Sequence, residues 1–313
     1  MSALIYQHSL ARAMRNFFYQ ESFVEVFPPP MVTNPGMETH IHPFEVYSKS
    51  KKCSSNLYLN TSPEFKLKEV LATNEVDNIF SLGFAFRDEP TSSIHRPQFL
   101  MLEWYRKNHH YEKIMEDCES LLHEIQTQLN PPQQIQTYPR VTVQELFLDL
   151  CQFDILQFQN PQDLKLKIQK DFKDIPLPES ECSWDDYFFL IFLNKVEPVL
   201  KEYPYLLIYE YPAPLSALST LKESDPRVCE RFEIYLGGIE ICNSFNELTD
   251  AHEQIKRFKR QAQDKKELYD YELPWPADFI DVLKKGYPKS AGIAMGLERL
   301  ILFFYQTDDI FLS

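Results

Sequence analysis

The sequence predicts an α+β fold in which helices flank a sheet, and three observations carry that prediction. Ile114, Met115, Cys118, Leu121, Leu122, Ile125 and Leu129 recur at helical spacing. Residues 79–87 (IFSLGFAFR) and 99–105 (FLMLEWY) are strand-like runs separated by a polar loop. Residues 231–236 and 239–246 are two further strand-like runs joined by Gly237-Gly238.

The remaining elements follow in chain order. Leu10, Met14, Phe17 and Phe18 predict a helix over 5–20. The run from Phe23 to Phe27 alternates and is stopped by Pro28-Pro29-Pro30. Residues 57–61 (LYLNT) read as a strand, and Pro63 with Glu64 suits the first turn of the helix after it. In the 79–87 strand, Leu82, Phe84 and Phe86 share one face, with Arg87 and Glu89 on the other. Residues 130–140 are rich in Pro and Gln and read as a connection. Residues 141–225 read as helices interrupted by loops, with a strand at YLLIYEYP. Asp250 and Glu253 have capping-box spacing before a charged helix whose charges read as a solvated face. A final glycine-containing strand, AGIAMG, leads into the helix LERLILFF.

Composition excludes several classes. The chain has 313 residues, 44% hydrophobic and 25% charged, which is the make-up of a folded protein. That length suits one large domain or two small ones. Thirty-two Lys+Arg against 46 Asp+Glu give a net charge of −14, which argues against a broad nucleic-acid or anionic-membrane footprint. The longest apolar run, Tyr187 to Leu193, is too short to span a bilayer. The N-terminus lacks the pattern of a signal peptide. Cys53, Cys118, Cys151, Cys182, Cys229 and Cys242 include no C-x-x-C pair, so reduced thiols are expected rather than a zinc or redox motif.

Three separated segments carry the chemistry: FRDEPTSSIHRPQFLMLEWY at 86–105, GGIEICNSFNELTD at 237–250 and GIAMGLERL at 292–300. Together they resemble the catalytic core of the class II aminoacyl-tRNA synthetases. The first looks like that family's second motif, the last like its third, and the segment from Ile5 to Pro30 like its first, which builds the dimer interface. TSPEF at 61–65, LEWY at 102–105 and NSFNELTD at 243–250 are of the lysyl type. LEWY resembles in particular the lysyl-synthetase paralogues that modify elongation factor P.

The resemblance implies a class II synthetase-like, mostly antiparallel sheet flanked by helices. It implies a single catalytic domain over 1–313 without an N-terminal anticodon-binding OB domain, since the first motif begins near residue 5. The implied reaction activates (R)-β-lysine with ATP and Mg2+ and transfers it to a lysine of elongation factor P. A cytoplasmic homodimer is expected, with no tRNA and no membrane as partner. The rivals are a paralogue that activates α-lysine for another acceptor, and an inactive regulatory subunit.

Such a reaction needs in-line attack on the α-phosphorus, positioned reactants and neutralised charge. Arginine suits this through its planar, permanently charged fork. Arg87 matches the second-motif arginine at the α-phosphate and Arg299 the third-motif arginine at the far phosphates. Without those contexts each would read as a surface arginine. Asp88, Glu89, His95, Arg96, Glu240, Ile241 and Gly296 complete the implied ATP site. Arg96 stands where those paralogues typically have Asn, and Gln98 where they have an acidic residue.

Glu233 and Glu240 match the family's metal-binding carboxylates; their bland reading is two solvated strand glutamates. Strict alternation puts Glu240 on the face opposite Asn243 and Glu247, so a bulge or twist is required. The amino-acid pocket is assigned to Ser62, Pro63, Glu64, Glu103, Tyr105, Asn243, Glu247 and Ala294. Glu64 would face the amine near the carboxylate and Glu247 the distant ammonium. Ala294 stands where lysyl-tRNA synthetases have Gly and the paralogues have Ala.

Overall fold

The structure is a computed structural model that describes residues 3–50 and 56–307. The chain divides into two compact units, Met1–Gln134 with Glu247–Ser313, and Ile135–Asn246. The N-terminal part of the first unit comprises α1 (Ala3–Gln20), β1 (Val24–Glu25), β2 (Met31–Val32), β3 (Glu45–Val46), β4 (Leu57–Leu59), α2 (Glu64–Leu71), β5 (Asn78–Phe86), β6 (Gln98–Lys107) and α3 (Tyr111–Leu129). The second unit contains β7 (Arg140–Thr142), α4 (Val143–Cys151), α5 (Pro161–Asp171), α6 (Trp184–Ile191), α7 (Glu197–Leu200), β8 (Leu206–Pro212), β9 (Leu221–Lys222), β10 (Asp225–Leu236) and β11 (Ile239–Asn246). The chain then returns to the first unit with α8 (Ala251–Tyr269), α9 (Ala277–Gly286), β12 (Ser290–Gly296) and α10 (Leu297–Tyr305).

In the first unit β5 and β6 form a long antiparallel pair, β12 runs antiparallel to β6, and β1 lies parallel to β5. The register sets Gly292 against Tyr105 and Ala294 against Glu103. A separate small antiparallel sheet has the order β2-β4-β3. Phe18 of α1 stacks on Phe80 of β5 and touches Trp104 of β6, all three buried, so this helix covers one sheet face with aromatic area. Arg106 reaches from β6 to Asp117 of α3 in a two-pronged ion pair, at 2.6 and 2.9 Å, which ties the second covering helix to the strand.

In the second unit β10 pairs antiparallel with β8, β9 and β11, and β7 runs parallel to β8. Helices α4 and α6 share a buried apolar cluster with this sheet, in which Phe147 stacks on Phe188 at 5.2 Å. Capping boxes at Thr142 and Ser183 start those two helices.

The mostly antiparallel sheets and flanking helices are those the sequence predicts. Some details differ. β1 is only two residues long, and the segments after the triple proline add β2 and β3, which alternation over two residues does not reveal. Pro63 is the N-cap of α2 rather than within its first turn. Phe84 is 54% exposed while Leu82 is buried, so the face they share is covered only at one end. Asp250 does cap α8, accepting from the N–H groups of His252 and Glu253. Lys265 is an exception to the solvated face of α8, being buried. Among the described residues no helix is long and apolar enough to cross a membrane. Cys118, Cys151, Cys182, Cys229 and Cys242 are free thiols; Cys53 lies outside the described residues.

Candidate active site

A buried acidic pocket forms where α2, β6 and β12 meet the residue that precedes α8. Glu103 and Tyr105 alternate onto one face of β6, and the Tyr105 hydroxyl donates to Glu103 Oε1 at 2.7 Å. Opposite them on β12, Ala294 and Gly292 supply almost no side-chain bulk. A Cβ at Gly292 would lie 2.1 Å from Tyr105 Cε1 and 2.9 Å from Glu247 Oε1, so only glycine admits both groups. Glu247 is fixed by its backbone N–H, which donates to the Ser290 carbonyl at 3.0 Å. Glu64 opens α2, and its N–H faces Ser62 Oγ at 3.4 Å. Four of the predicted pocket residues, Glu64, Glu103, Tyr105 and Glu247, thus come together.

One cation accompanies them that sequence reasoning passed over. Lys68, one turn after Glu64 on α2, is 2% exposed and donates to Glu64 Oε1 at 2.6 Å. Its Nζ also lies 2.5 Å from Glu247 Oε2, and 5.9 and 5.7 Å from the ring centroids of Tyr105 and Phe279. Burial alone would lower the Lys68 pKa, but Glu247 and Glu64 outweigh it and hold the ammonium charged. Burial pushes Glu247 up to about 7 against the pull of Lys68. Glu103 is raised well above the carboxylate range, by burial first and then by Glu64. Its Oε2 is buried without a hydrogen-bond donor, an arrangement that suits a ligand ammonium.

Glu38 and Lys265 were also missed. Glu38 lines a small cleft with Asn34, Gly36, Ser62 and Glu64. Its Oε2 accepts from the Met37 N–H at 2.9 Å, and burial and Glu64 raise its pKa. Gly36, at φ +135°, leaves room for that carboxylate, since a Cβ there would meet Glu38 Oε2 at 2.4 Å. Lys265 straps the same loop, donating to the carbonyls of Thr39 and Ile41, each at 2.9 Å, and to the Tyr271 hydroxyl. Burial pulls its pKa down to about 8. The legible signal was the Glu64–Lys68 spacing of four on a helix; no local pattern marks Glu38.

The two motif arginines share a second cluster. Arg299 donates to His95 Nε2 at 2.9 Å, and Arg87 and Glu89 are close enough to bias the same imidazole. Accepting at Nε2 puts the ring proton on Nδ1, which faces Ser92 Oγ at 3.1 Å. Burial, then Arg299, lowers the His95 pKa, so the ring is neutral. Arg87 Nε donates to the Thr61 carbonyl at 3.3 Å and its guanidinium lies over Phe99. The Asp88 N–H donates to the His42 carbonyl, next to the loop that carries Glu38. Arg96 donates to the carbonyls of Ser92 and His95, closing its own loop, and Gln98 opens β6 opposite Phe86. Gly296 is the N-cap of α10; a Cβ there would lie 3.7 Å from Arg299 Cδ.

The second unit holds Glu233, Glu240, Ile241 and Asn243. Glu233 pairs with Asn243 and Tyr235 with Glu240, and the register shifts between Ile234 and Tyr235. Ile241 is therefore left out of the ladder, and this bulge turns Glu240 onto the face of Glu233 and Asn243. It is the irregularity that alternation required. Glu233 Oε2 accepts from Tyr211 at 2.6 Å and Tyr235 at 2.7 Å, and Oε1 from Arg231. Arg231 also donates to Asn243 Oδ1 at 3.1 Å. Among the described residues no group of three His, Cys, Asp or Glu side chains is placed to hold a metal ion.

Comparison with known proteins assigns the family. Residues 1–311 match the family model described as tRNA synthetases class II (D, K and N). The chain is 33% identical over 312 residues to the elongation factor P–(R)-β-lysine ligase of Vibrio cholerae, covering 99% of this chain and 93% of that one. It is 33% identical over 303 residues to the ligase of the same name from Pseudoalteromonas translucida, covering 96% and 90%. It is 31% identical over 301 residues to that of Yersinia enterocolitica, again covering 96% and 90%. With motif order, fold and nearly full-length similarity in agreement, the chain belongs to the class II tRNA synthetases of the D, K and N group.

Proposed function

We propose that the chain is an AMP-forming ligase that activates (R)-β-lysine with ATP and transfers it to a lysine ε-amine of elongation factor P. The observation that carries this reading is the pocket in which Glu64 and Glu247 share the Lys68 ammonium, with buried Glu103 beside them. An ammonium group of a diamino acid suits the buried Glu103 Oε2, which has no hydrogen-bond donor. The names of the similar ligases support the choice of substrate and acceptor.

In the first step a carboxylate oxygen of β-lysine attacks the α-phosphorus and pyrophosphate leaves. Arg87 neutralises the α-phosphate, Arg299 the departing phosphates, and neutral His95 orients the Arg299 guanidinium. Asp88, Glu89, Arg96 and Gly296 are the first unit's further contribution to nucleotide binding. Glu64, with Ser62 and Pro63, faces the amine near the carboxylate; Glu103, Tyr105 and Glu247 serve the distant ammonium. In the second step the acceptor amine attacks the acyl carbon, loses a proton and expels AMP, leaving an amide.

Magnesium, which takes few carboxylates and fills its shell from phosphates and water, would be held by Glu240 and by Glu233, whose Oε1 also accepts from Arg231. There it would screen phosphate charge. A homodimer through the N-terminal segment is supported by exposed apolar side chains at Val24, Phe27 and Met31. The acceptor places the work in the cytoplasm, and the net charge of −14 suits an acceptor other than tRNA.

Amino-acid-dependent ATP–pyrophosphate exchange tests the reading. Exchange should require β-lysine, and Arg299→Ala should lose about 3 kcal/mol of transition-state stabilisation, roughly a hundredfold in rate. Exchange driven better by α-lysine, or no exchange with either isomer, would favour the rival functions.

A further inference from the structure

Lys68 has a geometry that the proposed reaction does not itself require. It lies on α2, yet its ammonium is spent entirely inside the pocket, between one oxygen of Glu64 and one of Glu247. Near this pair, Oε2 of Glu103 is buried without a hydrogen-bond donor. A cation bound to two acids at once also fixes their rotamers, because moving either would strand a buried charge.

We propose that Lys68 is the resident counter-ion of the amino-acid pocket: a positioning residue that ties Glu64 and Glu247 together and opposes protonation of Glu247. The proposal rests on the pocket reading given above and deepens it.

The groups that face this cluster come from every element around it. Glu64 and Lys68 lie on α2, Glu103 and Tyr105 on β6, and Glu247 before α8. Tyr287 precedes β12, and Glu38 approaches Glu64 from its loop with Arg87 nearby. Only Lys68 and Arg87 among them are cations, and only Lys68 touches Glu247. Without the Lys68 charge, Glu247 would hold its proton to higher pH. A protonated carboxyl is a poorer partner for an ammonium, so binding would weaken at low pH and recover as pH rises. Lys68 does not touch the reacting atoms, so the saturated rate should be spared.

The test compares wild type, Lys68→Met and Lys68→Arg in two measurements. The first is 13C NMR of labelled glutamate carboxyls without substrate. In Lys68→Met a carboxyl midpoint should rise by about one pH unit or more, and in Lys68→Arg it should stay near wild type. The second is pyrophosphate exchange between pH 6.5 and 8.5. KM for β-lysine in Lys68→Met should rise about tenfold at the acid end, with the penalty shrinking toward the alkaline end and kcat within about twofold. If Lys68→Met does not fold, Lys68→Arg carries the test, with a KM ratio to wild type that does not change with pH. Unmoved carboxyl midpoints in folded Lys68→Met, or a pH-dependent KM ratio in Lys68→Arg, would overturn the counter-ion role. Wild-type protein that fails to activate β-lysine would instead overturn the functional reading, leaving the NMR result to judge Lys68 by itself.

Discussion

Ala294 and Gly292 stand two apart on β12, and each faces one polar residue of β6, Glu103 and Tyr105 respectively. The glycine is enforced by the Tyr105 ring; no such clash fixes the alanine, whose methyl stands in register with Glu103. α-Lysine and β-lysine share a six-carbon chain and differ only in which carbon bears the second amine. Ala294→Gly should raise kcat/KM for α-lysine relative to β-lysine, on the ~1–3 kcal/mol scale of one methyl group. A ratio that does not move toward α-lysine in exchange assays would leave Ala294 as strand packing alone. At this scale the sequence was informative wherever chemistry sits in a motif: Glu64, Glu103, Tyr105 and Glu247 are legible there and meet in space. Lys68 was not, because a Glu–Lys pair four apart on a helix usually marks a solvated surface and only burial reveals otherwise. Glu38 was hidden for another reason, since it sits in a loop whose path is set by Gly36 and by the distant Lys265.

Helix α10 carries Arg299, and its placement depends on Glu298. That carboxylate is 4% exposed and accepts the Leu100 N–H at 3.0 and 3.1 Å, with Gln7 of α1 at 3.4 Å. Burial pushes its pKa up to about 7, although the Leu100 N–H opposes the rise. The sign follows from proton counting. Between the unfolded value near 4.3 and about 7, the folded state keeps a proton that the unfolded state has released. Stability from this group is therefore present at low pH and lost as pH climbs through that window, by roughly 4 kcal/mol at most. Glu298→Gln has no proton to lose, so its melting temperature should fall less than that of wild type between pH 5 and 8. Parallel pH profiles for the two proteins would show that Glu298 does not titrate in this way. Amphipathic α3 and the two strand pairs were readable because their periods run for many residues. β2 and β3 were not, because two residues define no period. α4–α7 were blurred because Phe and Leu crowd both their inner faces and the turns between them.

At the scale of the whole molecule, the family match spans both compact units, and the proposed residues divide between them. The first unit carries the amino-acid pocket and both arginines; the second carries Glu233, Glu240, Ile241 and Asn243 on a bulged hairpin. The bulge was deducible from the sequence as a necessity, once Glu240 and Asn243 were assigned to one site three residues apart. Its position at Ile241 was not, since nothing local distinguishes that residue from its neighbours. The acidic composition says only what the protein does not broadly bind. Acceptor identity lies beyond composition and beyond the pocket, which is why the central claim is tested most directly on the acceptor itself. The measurement is the intact mass of purified elongation factor P after incubation with the enzyme, ATP and (R)-β-lysine. The account predicts an ATP-dependent gain of one β-lysyl group on a single lysine, absent with Arg299→Ala. An unchanged mass under conditions in which wild-type enzyme performs β-lysine-dependent pyrophosphate exchange would contradict it.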